Sequence, residues 1–284
     1  MSTAILYALL SLLFAGLNDV VFKRYAAKNR SRGMVIFAIG LVWVVLQWVL
    51  SLAHHSAFQI DRVSLTYGLV AGVALVLSNL LLIEGLTHIE VSLGSTIYRL
   101  NTLGVVVLSV LFLHEALGML KTVGIGSGIA AILLLAGRPA SGVAIQLHRQ
   151  FVWVVVIASL SRALYGVVTK AGLNQGADAN TMLLIGALCW VLGGAAYARL
   201  REGCFVLSGK QVLYALVSGL LVTMIVNFLM LAVALEEASV VIPIANLSFV
   251  AALLFSMGLG WERLSWRKVT AIACAVLSIG LLAY

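Results

Sequence analysis

Ten apolar runs, each about as long as a bilayer is thick, follow one another at about 3–22, 34–53, 64–87, 91–113, 118–136, 151–172, 180–200, 210–235, 239–260 and 267–283. About 20 apolar residues rising 1.5 Å each cross about 30 Å of hydrocarbon. The pattern therefore predicts an all-α integral membrane protein with ten transmembrane helices. Composition excludes the soluble classes: 63% of residues are hydrophobic, 10% are charged and the mean hydropathy is +1.13, against roughly 45–50% and 25% in soluble domains. The net charge of +8 does not point to nucleic acid, because the basic residues sit between apolar runs, where they orient the chain in the bilayer.

Sliding the sequence against itself by 147 residues brings its halves into register without a gap. Trp43 falls on Trp190, Tyr67 on Tyr214, Gly72 on Gly219, Glu90 on Glu237, Ser92 on Ser239, Ser109 on Ser256, Glu115 on Glu262 and Lys121 on Lys268. Leu and Val matches mean little in so apolar a chain, but Trp and charged matches at one offset are informative. The chain reads as a five-helix unit written twice, over 1–137 and 148–284, joined by a cytoplasmic linker at 138–147. Five is odd, so the second unit enters the membrane inverted. Inverted repeats with a substrate held near the midplane are the construction of many secondary transporters.

With ten spans, thirteen Lys and Arg residues fall on one face and three, Arg62, Lys121 and Lys170, on the other. The richer face is expected to be cytoplasmic, with both termini outside. The first span lacks a cleavage site and leads into Lys23, Arg24, Lys28, Arg30 and Arg32, so it reads as a retained helix. Two basic residues remain, Arg99 and Arg162, and both lie inside spans. A charge there costs at least about 2.5 kcal/mol on insertion scales.

Arg99 stands in the polar stretch STIYRLNTLG, between two apolar runs. Taking the fourth span to start near residue 91 places it about 12 Å deep, level with Asn79 of the third span. Arg99 shares a helical face with Thr102, as Tyr98 does with Asn101. Asp19, nearer the same surface, is the one aspartate well inside a span and the candidate for proton coupling. In the inverted half Asn227 and Asn246 take the corresponding places, while Arg162, about 16 Å deep, shares a face with Tyr165. Each has a structural alternative: Arg99 bracing Asp19 or reaching headgroups, Asp19 reaching headgroups beside Lys23, the asparagines cross-linking helices, Glu236 and Glu237 as a solvated loop, and Gly124, Gly126 and Gly128 packing helices.

The doubled five-helix unit, the span starts SLGSTI and SVVIPIAN, and the linking segments HEALGMLKTVGIGSG and WERLSWRKVTAIACA together resemble the ten-helix, EamA-type branch of the drug/metabolite transporter superfamily, within its amino-acid and metabolite exporter group. The first repeat departs from that pattern, with Thr96 where the second has Pro243, which leaves a kink in the fourth span open. The resemblance implies alternating access through a cavity lined by spans 1, 3, 4, 6, 8 and 9 in a bacterial inner membrane. Those spans hold every candidate: Asp19, Asn79, Tyr98, Arg99, Asn101, Thr102, Arg162, Tyr165, Asn227 and Asn246. Two arginines favour a solute with a carboxylate or phosphate, and the tyrosines add flat contact area. An exported amino acid fits best, with an organic-anion or phosphorylated-metabolite exchanger and a lipid-headgroup flippase as alternatives.

No span carries a mid-membrane histidine, an HExxH pair or two facing acids, so intramembrane proteolysis is not expected. The five histidines and three cysteines show no metal or redox spacing, and no cofactor is expected. The expected partners are a small solute and the lipid bilayer, with the chain monomeric or weakly dimeric.

Overall fold

The computed structural model describes residues 2–26, 31–55, 57–86, 88–89, 91–135, 149–203, 208–260 and 265–284; the expected linker at 138–147, and Glu90 and Glu262, lie outside them. The described chain forms helices α1 (Thr3–Ala26), α2 (Arg32–Ala53), α3 (Arg62–Leu86), α4 (Val91–Arg99), α5 (Asn101–Leu113), α6 (Met119–Leu135), α7 (Arg149–Asn174), α8 (Ala179–Tyr197), α9 (Gly209–Leu235), α10 (Ala238–Asn246), α11 (Ser248–Gly258) and α12 (Trp266–Leu282). All ten expected spans are present, the fourth and ninth each as two helices. Eight spans are long and apolar enough to cross a membrane outright, and α6 and α12, at 17 residues each, sit at the lower limit of about 17. Side chains cap the helices that restart at the surfaces: Ser31 accepts from Met34 N, Asp178 from Thr181 N, and Ser208 forms a capping box with Gln211, taking up N–H groups that a first turn leaves free.

The two broken spans break at equivalent places. Leu100 (φ −68°, ψ 0°) and Leu247 (φ −76°, ψ 11°) are one repeat offset apart, so the fourth span bends without a proline. Pro243 removes the bond to the carbonyl of Ser239, at the head of α10, whereas the break falls four residues after it. In the first repeat, side chains take up backbone at the break. Asn101 Nδ2 donates to the Tyr98 carbonyl at 2.8 Å and Ser159 Oγ to the same oxygen at 3.2 Å. Side chains that bond backbone locally are an established cause of a bend. Part of the polar character of STIYRLNTLG is thus the hinge itself.

Equivalent helices run antiparallel, as an inverted repeat requires. Along α2 and α8, Gly33 lies against Ala198, Gly40 against Val191, and Trp43 meets Trp190 edge-on with ring centroids 6.1 Å apart. Along α6 and α12, Gly124 lies on Leu282 and Gly128 on Ser278. Other contacts come in mirrored pairs: α3 on α7 as α9 on α1, α3 on α8 as α9 on α2, and α5 on α7 as α11 on α1. Gly72 abuts Cys189 as Gly219 abuts Val42, which again are equivalent positions. Close approach of backbones at glycine drives helix association where lipid removes the hydrophobic incentive.

The mirror is not complete. Helix α5 packs on α10, but among the described residues their equivalents α11 and α4 make no comparable contact. The halves α5 and α10 lie toward the face that carries both termini, and α4 and α11 toward the face that carries the basic loops. Among the described residues the two broken spans thus touch toward the terminal face and not toward the basic face.

Candidate functional site

Arg99 ends α4 where α4 and α11 part, and its side chain crosses the gap. One guanidinium nitrogen lies 3.2 Å from Asp19 Oδ2 on α1, and the guanidinium carbon is 5.0 Å from the centroid of the Phe249 ring on α11. Asp19 does not face lipid. The exposed stripe of α1 runs through Leu6, Leu13 and Leu17, and Asp19 stands about 200° round the helix from Leu17 at 100° per residue. The structure thus joins Arg99 to Asp19 and does not join it to Asn79, whose Nδ2 donates to Leu75 O of its own helix at 2.8 Å. Tyr98 turns to α3 instead, with its hydroxyl 3.4 Å from Ser78 Oγ.

Beyond the break the path closes. Asn246 Nδ2 donates to Asn101 Oδ1 at 2.7 Å and to Thr102 Oγ1 at 3.1 Å, tying α10 to α5. Asn101 and Thr102 are buried. Further toward the terminal face a carboxylate completes the closure. Both oxygens of buried Glu115, in the α5–α6 connection, accept from the first N–H groups of α10, Ala238 N and Ser239 N, each at 2.8 Å. Lys121 pairs with Glu237, and Lys170 Nζ donates to Val233 O and Glu236 O at 2.8 Å each. Glu236 and Glu237 are therefore parts of a clasp, where a solvated loop was expected. Sequence reasoning noted the Glu115 and Lys121 repeats but gave them no role.

Arg162 stands midway along α7, its guanidinium carbon 5.2 Å from the Tyr165 ring centroid. Among the described residues no carboxylate pairs with it. Buried Tyr165 also walls a cavity of about 10 Å³, room for about one water molecule, together with Trp43, Thr169, Met182 and Met230. Arg99 and Arg162 are thus in different electrostatic states, one neutralised and one held by an aromatic face alone.

Asn227 belongs to a separate group. Its Nδ2 donates to Gln47 Oε1 at 3.0 Å, and Gln47 Nε2 donates to Asn180 Oδ1 at 3.3 Å. Gln47 is fully buried and went unnoticed in sequence, although a lone amide inside VVLQWVL carries the same burial cost that marked Arg99. The repeat explains it: at the basic end of the α2–α8 crossing the equivalent residues, Gly33 and Gly194, meet backbone to backbone. At the terminal end the same two positions are Asn180 and Gln47, which hold the helices apart and hydrogen-bonded.

Antiparallel equivalent helices and spans broken at matching points are the build of inverted-repeat transporters. Residues 2–137, the first repeat, match the EamA-like transporter family. An uncharacterized protein of Methanocaldococcus jannaschii is 29% identical over 136 residues, covering 48% of this chain and 98% of that protein, so that relative is about one repeat long. A solved crystal structure aligns over 99% of this chain and 96% of its own length with a TM-score of 0.85 at 14% identity, a likeness of fold.

Proposed function

We propose that this protein is a secondary transporter that exports a small polar metabolite, an amino acid above all, by alternating access between the two repeats. The repeats are taken as 1–137 and 148–284, and the candidate cavity residues Asp19, Asn79, Tyr98, Arg99, Asn101, Thr102, Arg162, Tyr165, Asn227 and Asn246 as the path. The observation that carries this reading is the broken mirror: α5 and α10 joined at one face, α4 and α11 parted at the other. Two pseudo-symmetric halves with unequal closure are one state of a two-state device. A carboxylate-bearing cargo is supported by Arg162, a guanidinium without a carboxylate partner among the described residues. A phosphorylated or organic anion would use the same cation, and a lipid headgroup would need lateral entry between spans.

Purified protein in liposomes should move members of a radiolabelled metabolite panel without changing them chemically. A chemically altered product would replace the transporter reading with an enzymatic one. The orientation is tested with it. In a bacterial inner membrane with the basic face cytoplasmic, a cysteine placed at exposed Met119 should react with an impermeant thiol reagent in intact cells, and one at exposed Leu200 should not. The reverse labelling would invert the orientation.

A further inference from the structure

The Arg99–Asp19 pair is incomplete where the carboxylates of Glu115 and Glu84 are not. Glu115 has both oxygens on N–H groups and Glu84 takes Arg201 and Tyr197. Arg99 spends one of its five donors on Asp19 and Asp19 one of its oxygens on Arg99, and among the described residues neither makes another hydrogen bond. Their side chains keep 27% and 39% of their surface exposed, at the gap where α4 and α11 part. A cation with free donors, an anion with a free oxygen and the ring of Phe249 therefore meet at the mouth of the interior.

We propose that this pair is the receptor for a zwitterion, resting on the transporter reading above: the solute's ammonium docks on Asp19 and its acid group on Arg99. The planar guanidinium suits a carboxylate in two parallel bonds, and the ammonium satisfies the aspartate that the solute has displaced. One contact between protein groups is exchanged for two contacts to the solute, and the site stays neutral throughout. A simple anion would take Arg99 and leave Asp19 unpaired, and a simple cation would do the reverse; leaving one charge of a half-buried pair without its partner is the costly event. The selectivity for carrying both charges comes from the pair itself and not from the shape of a pocket. The chemistry fits a free amino acid or the ethanolamine phosphate of a lipid headgroup.

The test uses purified protein in phosphatidylglycerol nanodiscs and four probes: alanine, whose side chain makes the fewest demands, N-acetylalanine as anion, alanine amide at slightly acid pH as cation, and ethanolamine phosphate. The intact protein should bind alanine or ethanolamine phosphate at least about tenfold more tightly than either singly charged probe, and the tighter of those two identifies a free solute or a headgroup. Asp19→Asn should bind N-acetylalanine as well as alanine, Arg99→Gln should lose the discrimination against the amide, and Asp19→Glu should keep the preference. Equal affinity of the intact protein for alanine and N-acetylalanine, no binding of either zwitterion, or an Asp19→Asn protein that keeps its preference would each overturn the inference. If the liposomes still move another solute from the panel, the transporter reading stands and the pair is only a strut between α4 and α1.

Discussion

Arg162→Leu should give a protein that melts later than the parent and transports nothing. Arg162 lies midway along the 26 residues of α7, where a guanidinium costs about 2.5–3.5 kcal/mol on insertion scales. Its visible compensation is the ring of Tyr165 at 5.2 Å, worth up to about 2 kcal/mol for a desolvated contact. Leucine removes both terms, for a net gain of about 1 kcal/mol. A residue kept at a stability cost is what a functional site leaves behind, and in the proposed transport cycle Arg162 meets the solute's acid group at the midplane after Arg99 has met it at the mouth. Loss of a hydrogen-bonded charge contact of about 1.5–3 kcal/mol corresponds to about a ten- to hundredfold fall in solute affinity. Arg99→Leu should also lose transport but melt earlier than the parent. It leaves Asp19 without its partner, and because the two side chains are 27% and 39% exposed the loss is about 1–3 kcal/mol of stability, short of a fully buried pair. Thermal melts of the two variants, with uptake into liposomes, separate them; an Arg162→Leu protein that melts earlier, or transports at the parental rate, would show Arg162 to be structural.

The spans, their number and the inversion were all legible in the sequence, because bilayer thickness sets helix length and the repeat survives as an ungapped offset. The charged positions were legible too, since a charge in hydrocarbon stands out against its neighbours. What the sequence did not carry was pairing. Depth placed Arg99 level with Asn79 and within reach of Asp19, and depth says nothing about azimuth, so it could not choose between them: Asn79 turns to its own carbonyl while Arg99 reaches Asp19 on α1. The bend at Leu100 was left open because proline was taken as the cause of such a kink; the first repeat bends with threonine at that place, where Asn101 and Ser159 bond the Tyr98 carbonyl. Gln47 was missed for a different reason. Its role depends on Asn180, which lies 133 residues away, and only the glycines at the equivalent positions reveal the design.

Glu115→Gln should unlatch the terminal face. The carboxylate of Glu115 accepts from Ala238 N and Ser239 N at 2.8 Å each and sits on the positive end of the α10 dipole, where an anion is worth up to about 2 kcal/mol when partly buried. Glutamine keeps the shape but has one acceptor oxygen, so its NH₂ would face the second N–H, donor against donor. The loss of a charged hydrogen bond and the unmade partner together come to about 2–4 kcal/mol, acting on one contact surface, α10 against the α5–α6 connection. In the proposed alternating access that contact is made only while the terminal face is closed, so the lost energy shifts the balance between states more than it unfolds the protein; 1.4 kcal/mol is a tenfold change in population. A cysteine at Thr102, 3% exposed behind the Asn246 link, reports the change. In an otherwise cysteine-free protein it should label slowly from the terminal face, and Glu115→Gln should speed that labelling at least about tenfold while Glu115→Asp has a smaller effect. Unchanged labelling in a well-folded Glu115→Gln protein would mean that Asn246, Asn101 and Thr102 hold the face closed unaided.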